Sequence, residues 1–251
     1  LSILLKMFST CRIFLNSISF RKKFNQNIIR GETHLEKNFN LFLNSGIIFS
    51  RMNIKKVNSL KRNSDIYENN ILEHERAVRT ILSIKECVLF LAQKIIEKIN
   101  TGNKLVVFGN GGSAADSQHF AAELAGRFKR KRKGLAALSL SSDIALITAI
   151  GNDFSFTEIY SRQIEALACS HDIVLGISTS GESENVIAGV RQAKAMGCYT
   201  AALTGKNGGR LKDEVDLPII VDCYDTPRIQ ECHVLLYHII CEIIDEAIAI
   251  D

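Results

Sequence analysis

Five short apolar runs constrain this chain more than any other feature: Lys104–Phe108 (KLVVF), Leu135–Leu140 (LAALSL), Ile173–Ile177 (IVLGI), Tyr199–Leu203 (YTAAL) and Leu217–Val221 (LPIIV). None keeps the regular apolar–polar alternation of a strand with one wet face. Strands buried on both faces belong to a parallel sheet covered by helices on both sides. The segments between the runs agree, since 113–127, 142–150, 155–168, 183–196 and 207–213 read as helical. Upstream, apolar residues from Ile71 to Ile96 recur at spacings of three and four, which predicts helix from Asn70 to Asn100, stopped at Thr101-Gly102-Asn103. Pro227 fits the first turn of a long amphipathic helix running from about Arg228 to Ile248. The expectation is an α/β fold with one domain over residues 65–251. Its five-stranded parallel sheet lies in a three-layer, flavodoxin- or Rossmann-like arrangement, with helices before it and a long C-terminal helix.

Charge and composition set residues 1–64 apart. They hold 12 Lys/Arg against two Glu, a net of +10, while the whole chain carries +4, so the remainder is at −6. The basic balance therefore belongs to that segment and gives no argument for nucleic-acid binding by the domain. Rich in Asn, Lys, Ile and Phe and without sustained periodicity, residues 1–64 read as an extraneous or disordered extension. Met52 is the candidate true start, and the acid-free stretch opening at Met7 is the targeting alternative. No apolar run approaches the ~18 residues a membrane span needs. The seven cysteines (Cys11, Cys87, Cys169, Cys198, Cys223, Cys232, Cys241) are odd in number, irregularly spaced and free of CxxC. They suggest a reducing, cytoplasmic setting without a disulfide framework, with Cys232 and Cys241 as core residues before metal ligands.

Ligands of such folds bind at the carboxyl ends of the strands, and the unusual residues fall there. After the first run, Gly109-Asn110-Gly111-Gly112-Ser113-Ala114 opens a helix and lets backbone N–H groups approach an anion. The run also fits G-x-G-x-x-A, but the acidic residue a dinucleotide site wants about 20 positions on is replaced by Lys129–Lys133 (KRKRK). That basic run reads as a solvated loop, with steering of an anionic substrate as the alternative. After the third run, Ser178-Thr179-Ser180-Gly181-Glu182-Ser183 packs four hydroxyls around a glycine at a helix start, which suits a phosphate. Thr204-Gly205-Lys206-Asn207-Gly208-Gly209 is a third glycine loop, equally readable as a plain turn.

Two helices offer acid–base groups. His119 and Glu123 are four apart and share a face. Gln230 and His238, eight apart on the last helix, lie ~12 Å along it and about 80° around. Two imidazoles and two oxygens make a donor set suited to zinc. His34, His74, His171 and His233 read as ordinary surface or core residues.

On these residues the chain resembles the phosphoheptose isomerases of the sugar-isomerase (SIS) fold. The motifs are GNGGSAADSQHFAAELAGRF (109–128), AIGNDFSFTEIYSRQIEAL (149–167), DIVLGISTSGESENVI (172–187), ALTGKNGGRL (202–211) and RIQECHVLLYH (228–238). The resemblance implies an aldose–ketose isomerase that converts sedoheptulose 7-phosphate to D-glycero-D-manno-heptose 7-phosphate, a precursor of bacterial lipopolysaccharide. It implies a homotetramer with active sites near subunit interfaces, without nucleic acid or membrane as partner, and one zinc ion per subunit. The zinc ligands would be His119, Glu123, Gln230 and His238, with Glu123 as general base and His238 as general acid. Substrate contacts would come from Asn110, Gly111, Gly112, Ser113, Glu123, Asn152, Asp153, Ser178, Thr179, Ser180, Ser183 and Gln230. Glu182 is a departure, because Asn is expected there in many relatives and a carboxylate beside a phosphate cradle repels anions unless it points away. The alternative function is a non-catalytic SIS tetramer that binds the replication initiator. That reading wants the catalytic glutamate lost, whereas Glu123 is present.

Overall fold

The computed structural model describes residues 54–248. The expectations for residues 1–53, including Met7, Cys11, His34 and Met52, lie outside them. The chain divides into two units at Asp65/Ile66. Of the first unit only residues 54–65 are described, and they are helical.

The elements run in the order α1 (Ile54–Thr80), α2 (Lys85–Asn100), β1 (Leu105–Gly109), α3 (Gly112–Ala125), β2 (Ala137–Ser139), α4 (Ile144–Asp153), α5 (Ser161–Leu167), β3 (Ile173–Ser178), α6 (Glu184–Ala195), β4 (Tyr199–Gly205), β5 (Leu217–Val221) and α7 (Thr226–Ile248). All five strands are parallel, in the order β2-β1-β3-β4-β5. The chain steps from β1 out to β2 and then back across β1 to β3. This opens a crevice between β1 and β3 at their carboxyl ends, where ligands of doubly wound sheets sit.

The absence of alternation has the expected cause. Leu105 and Val107 face a core built with Leu91 and Ile95 of α2, Phe120 and Leu124 of α3, and Ile229, Leu236, Ile240 and Ile244 of α7. Val106 and Phe108 face a second core with Ile150, Tyr160, Ile164, Val186 and Val190. Each residue of β1 is therefore buried whichever way it points. Truncating a fully buried Leu91 or Ile240 to Ala would cost about 2–5 kcal/mol. Cys232 and Cys241 belong to the first core, and the six described cysteines are unpaired. Among the described residues, no helix is long and apolar enough to cross a membrane.

Three local expectations need correction. The helix predicted from Asn70 to Asn100 is broken by a 3-10 turn over Ile81–Ile84. The Thr80 hydroxyl donates to Ala77 O and Ser83 to Thr80 O, the kind of local bond that competes with a helical ladder. The segment 207–213 is not α-helix but a turn followed by a 3-10 turn over Arg210–Asp213, because Gly208 and Gly209 adopt positive φ. The KRKRK run is not simply solvated. The Arg132 side chain is 0% exposed and pairs with Asp245, itself buried, while Lys129 and Arg130 pair at the surface with Glu242 and Glu246.

Candidate active site

The crevice is bridged by side chains as well as by strands. Gly111, at φ 56°, turns the chain out of β1 into α3. The Asn110 amide donates to Asn185 Oδ1 at 2.8 Å and accepts from Asn185 Nδ2 at 2.9 Å, a reciprocal pair joining the β1–α3 loop to the start of α6. The buried Tyr160 hydroxyl donates to Gly109 O and lies 3.3 Å from Asn110 Oδ1, and Ser141 donates to Gly109 O. Burial pushes the Tyr160 phenol above its ordinary pKa, so it remains a donor. Asn110 is thereby held rigid at the mouth of the crevice. Ser113 lies buried beneath Gly109, where a side chain on Gly109 would run into its Cβ at 2.7 Å.

The hydroxyl loop forms the opposite lip. Ser178 Oγ accepts from Gly181 N at 3.2 Å and meets Ser183 Oγ at 3.0 Å, while Ser180 Oγ accepts from Glu182 N. Thr179 and Ser180 are half-buried. Ser183 is the N-cap of α6. The starts of α3 and α6 thus flank the same crevice with their unpaired N–H groups, a setting for an anion. Gly208 and Gly209 of the third loop lie directly on Gly181, and Leu211 N donates to Gly181 O at 3.0 Å. The third loop is a backbone buttress for the second. Glu182 pairs with Arg210 at 2.7 Å, and that hydrogen bond holds its carboxyl below the usual range.

Further along α3, three sequence-predicted residues converge. Ligand atoms of His119, Glu123 and His238 all lie within 4.8 Å of one another. His119 Nε2 is 2.9 Å from Glu123 Oε1, while its Nδ1 is 2.8 Å from the Tyr237 hydroxyl. In the tautomer with Nδ1–H donating to Tyr237, Nε2 would turn a lone pair toward the cluster, the arrangement a metal-ligating histidine requires. His238 stacks on Phe128 and meets His119 edge-on. Burial and then the His119 charge lower its pKa, which favours the neutral, ligating imidazole. The donor chemistry therefore fits a zinc ion.

Gln230 contacts the start of α3. Its Nε2 donates to Asp116 at 3.2 Å, and any Cβ on Gly112 would strike its amide. The nitrogen is thereby committed, and Oε1 is the atom left to coordinate. Asn152 and Asp153 are exposed at the end of α4 and hydrogen-bonded to each other at 2.8 Å. His233 is fully buried, with Nε2 on Thr204 O, and burial pushes its pKa down to about 4. His74 pairs with Glu231.

Sequence reasoning missed Asp116, Tyr160, Asn185 and Tyr237. Asp116 was findable, because it precedes His119 by three and Glu123 by seven on one helical face. Tyr160 and Asn185 act through contacts over 50 and 75 residues of sequence, which no local spacing reveals.

A SIS domain family model matches residues 67–205. A phosphoheptose isomerase of Geotalea uraniireducens is 51% identical over 156 residues, 62% of this chain and 82% of that protein. One from Nitratiruptor is 48% identical over 181 residues, 72% of this chain and 97% of the relative. The solved phosphoheptose isomerase of Neisseria gonorrhoeae superposes with a TM-score of 0.67 at 37% identity, over 74% of this chain and 98% of that structure.

Proposed function

We propose, for a chain that belongs to the phosphoheptose isomerases of the SIS domain family, that it interconverts sedoheptulose 7-phosphate and D-glycero-D-manno-heptose 7-phosphate. It is an aldose–ketose isomerase. The observation that carries the reading is the meeting of His119, Glu123 and His238, two of them on the helix α3 whose start borders the crevice. A sugar phosphate isomerase needs such acid–base groups and an anion cradle.

The reaction moves one proton from C1 of the ketose to C2 through an enediol. Glu123 takes the C1 proton and returns it to C2. Its Oε1 faces His119, so Oε2 is the proton acceptor. His238 gives a proton to the C2 oxygen and receives the one that leaves the C1 hydroxyl. Asn110, held by Asn185 and Tyr160, orients the sugar hydroxyls, and the loop Ser178–Ser183 takes the phosphate. His119, Glu123, Gln230 and His238 would hold a zinc ion, which would supply a Lewis acid for the carbonyl and for enediolate charge. Asn152 and Asp153 take part only if another subunit or a closing motion completes the pocket around them.

The setting proposed with it is a cytoplasmic homotetramer in lipopolysaccharide precursor synthesis. Exposed Ile66, Tyr67, Ile71 and Leu72 on α1 support an assembly, since water-facing apolar clusters mark contact surfaces. A non-catalytic, initiator-binding tetramer has no use for Glu123 in this cluster. The test is turnover of sedoheptulose 7-phosphate by the purified chain, with chelator and with added zinc. Loss on chelation and recovery with zinc support substrate and metal together. Turnover indifferent to chelator removes the metal role, and a folded protein without turnover removes the substrate.

A further inference from the structure

The Glu182 carboxylate stands within the loop assigned to the phosphate, two residues after Ser180 and one before Ser183. A fixed negative charge there would oppose a phosphate dianion. Its surroundings answer that charge with one residue. Arg210 N donates to Glu182 Oε1 at 3.0 Å, Nε to Oε2 at 2.7 Å, and Nη2 to both Glu182 O at 3.4 Å and Glu184 Oε1 at 2.7 Å. Arg210 is set in place from below. The neighbouring Leu211 is fully buried and its N–H donates to Gly181 O, while Gly209 abuts Gly181 so closely that a Cβ on either would overlap the other's backbone. The guanidinium thus arrives at a fixed point, and both carboxylates of the loop–helix junction pair with it.

We propose that Arg210 is a positioning residue for phosphate binding. It draws the Glu182 carboxylate away from the cradle, neutralises it, and braces the loop that carries Ser178, Thr179, Ser180 and Ser183. The proposal rests on the reading that this loop takes the substrate phosphate. Its signature separates it from a stability role. Arg210, Glu182 and Glu184 are all about half exposed, and exposed ion pairs contribute little to folding. An unpaired carboxylate next to a dianion, by contrast, weakens binding by about tenfold at low salt.

The test measures steady-state kinetics of wild type, Arg210→Ala, Glu182→Gln and the double variant. Inorganic phosphate serves as competitive inhibitor, and all four melting temperatures are recorded. Arg210→Ala is expected to raise KM about tenfold, with kcat within about twofold and Tm nearly unchanged, and to weaken phosphate inhibition by the same factor. Glu182→Gln should bind phosphate at least as well as wild type, and adding it to Arg210→Ala should recover most of the loss. The deficit of Arg210→Ala should shrink as ionic strength rises. An unchanged KM in Arg210→Ala, a loss borne by kcat, or a double variant as weak as Arg210→Ala would overturn the proposal. If wild type fails to turn over the heptulose phosphate, direct phosphate binding decides. The same ordering of affinities keeps the brace and discards only the substrate, and no binding by wild type discards both.

Discussion

Arg132→Ala is expected to cost far more than its place in a run of five basic residues suggests. The Arg132 side chain is 0% exposed and Asp245 is 1%, with Nε 2.7 Å from Oδ1. Its other nitrogens donate to Leu124 O at 2.8 Å and Glu123 O at 2.9 Å, the final carbonyls of α3. Removal leaves a buried carboxylate with only the Lys129 and Arg130 N–H groups as donors, and strips a cap from the helix that carries His119 and Glu123. Breaking a buried pair from one side costs about 3–5 kcal/mol. In domains of about 150–250 residues, where each kcal/mol moves Tm by roughly 2–4 °C, this amounts to a fall of about 6–20 °C. Arg130→Ala is the internal control. Its pair with Glu246 is half exposed, so its cost should stay below about 1 kcal/mol. Arg132→Lys should recover little, since one ammonium cannot serve the acceptors that the guanidinium spans. Thermal and urea melts of the three variants measure this. An Arg132→Ala shift no larger than that of Arg130→Ala would refute the reasoning. The pair also predicts a pH dependence. Burial alone would raise the Asp245 pKa, but the Arg130 N–H, the Arg132 guanidinium and the Lys129 N–H hold it below the usual value. A depressed carboxyl stabilises the fold above its unfolded pKa of about 4 and loses that contribution as pH falls through the folded value.

Three further outcomes are expected. Glu123→Gln should fold as wild type and lose at least about a thousandfold in kcat, and near-normal turnover would remove Glu123 as the base. Gly112→Ala should drive the Gln230 amide off Asp116, lowering both activity and the zinc retained after dialysis, measured by elemental analysis. Full retention of both would show that Gln230 has no such part. His233, buried and pushed down to about 4, is neutral in the fold while its unfolded form protonates near 6.5. Stability should therefore fall by up to roughly 1.4 kcal/mol per pH unit as pH drops from 6.5 toward 4. His233→Asn should flatten that slope in urea melts, and an unchanged slope would assign the loss to other groups.

The parts of this molecule that were legible in its sequence are those where one residue type answers to one local constraint. Val106 and Val107 are both apolar because both faces of β1 are covered, so the run itself declares a buried parallel strand. His119 and Glu123 announce a shared face through helical spacing alone. Legibility ends where the partner is distant in the chain. Nothing near Asn110 says that Asn185 holds it, and nothing in KRKRK separates Arg132, which is sunk against Asp245 over a separation of 113 residues, from its exposed neighbours. Glu182 shows the same limit in its sharpest form. Judged by its neighbours in sequence, the carboxylate opposes any anion held by the loop hydroxyls. Its charge is answered by Arg210, which lies 28 residues away and reaches it only because Gly181 and Gly209 let two loops touch backbone to backbone. The glycines were visible in the sequence. Which charge they would bring into contact follows only from the order in which the sheet assembles β3 and β4.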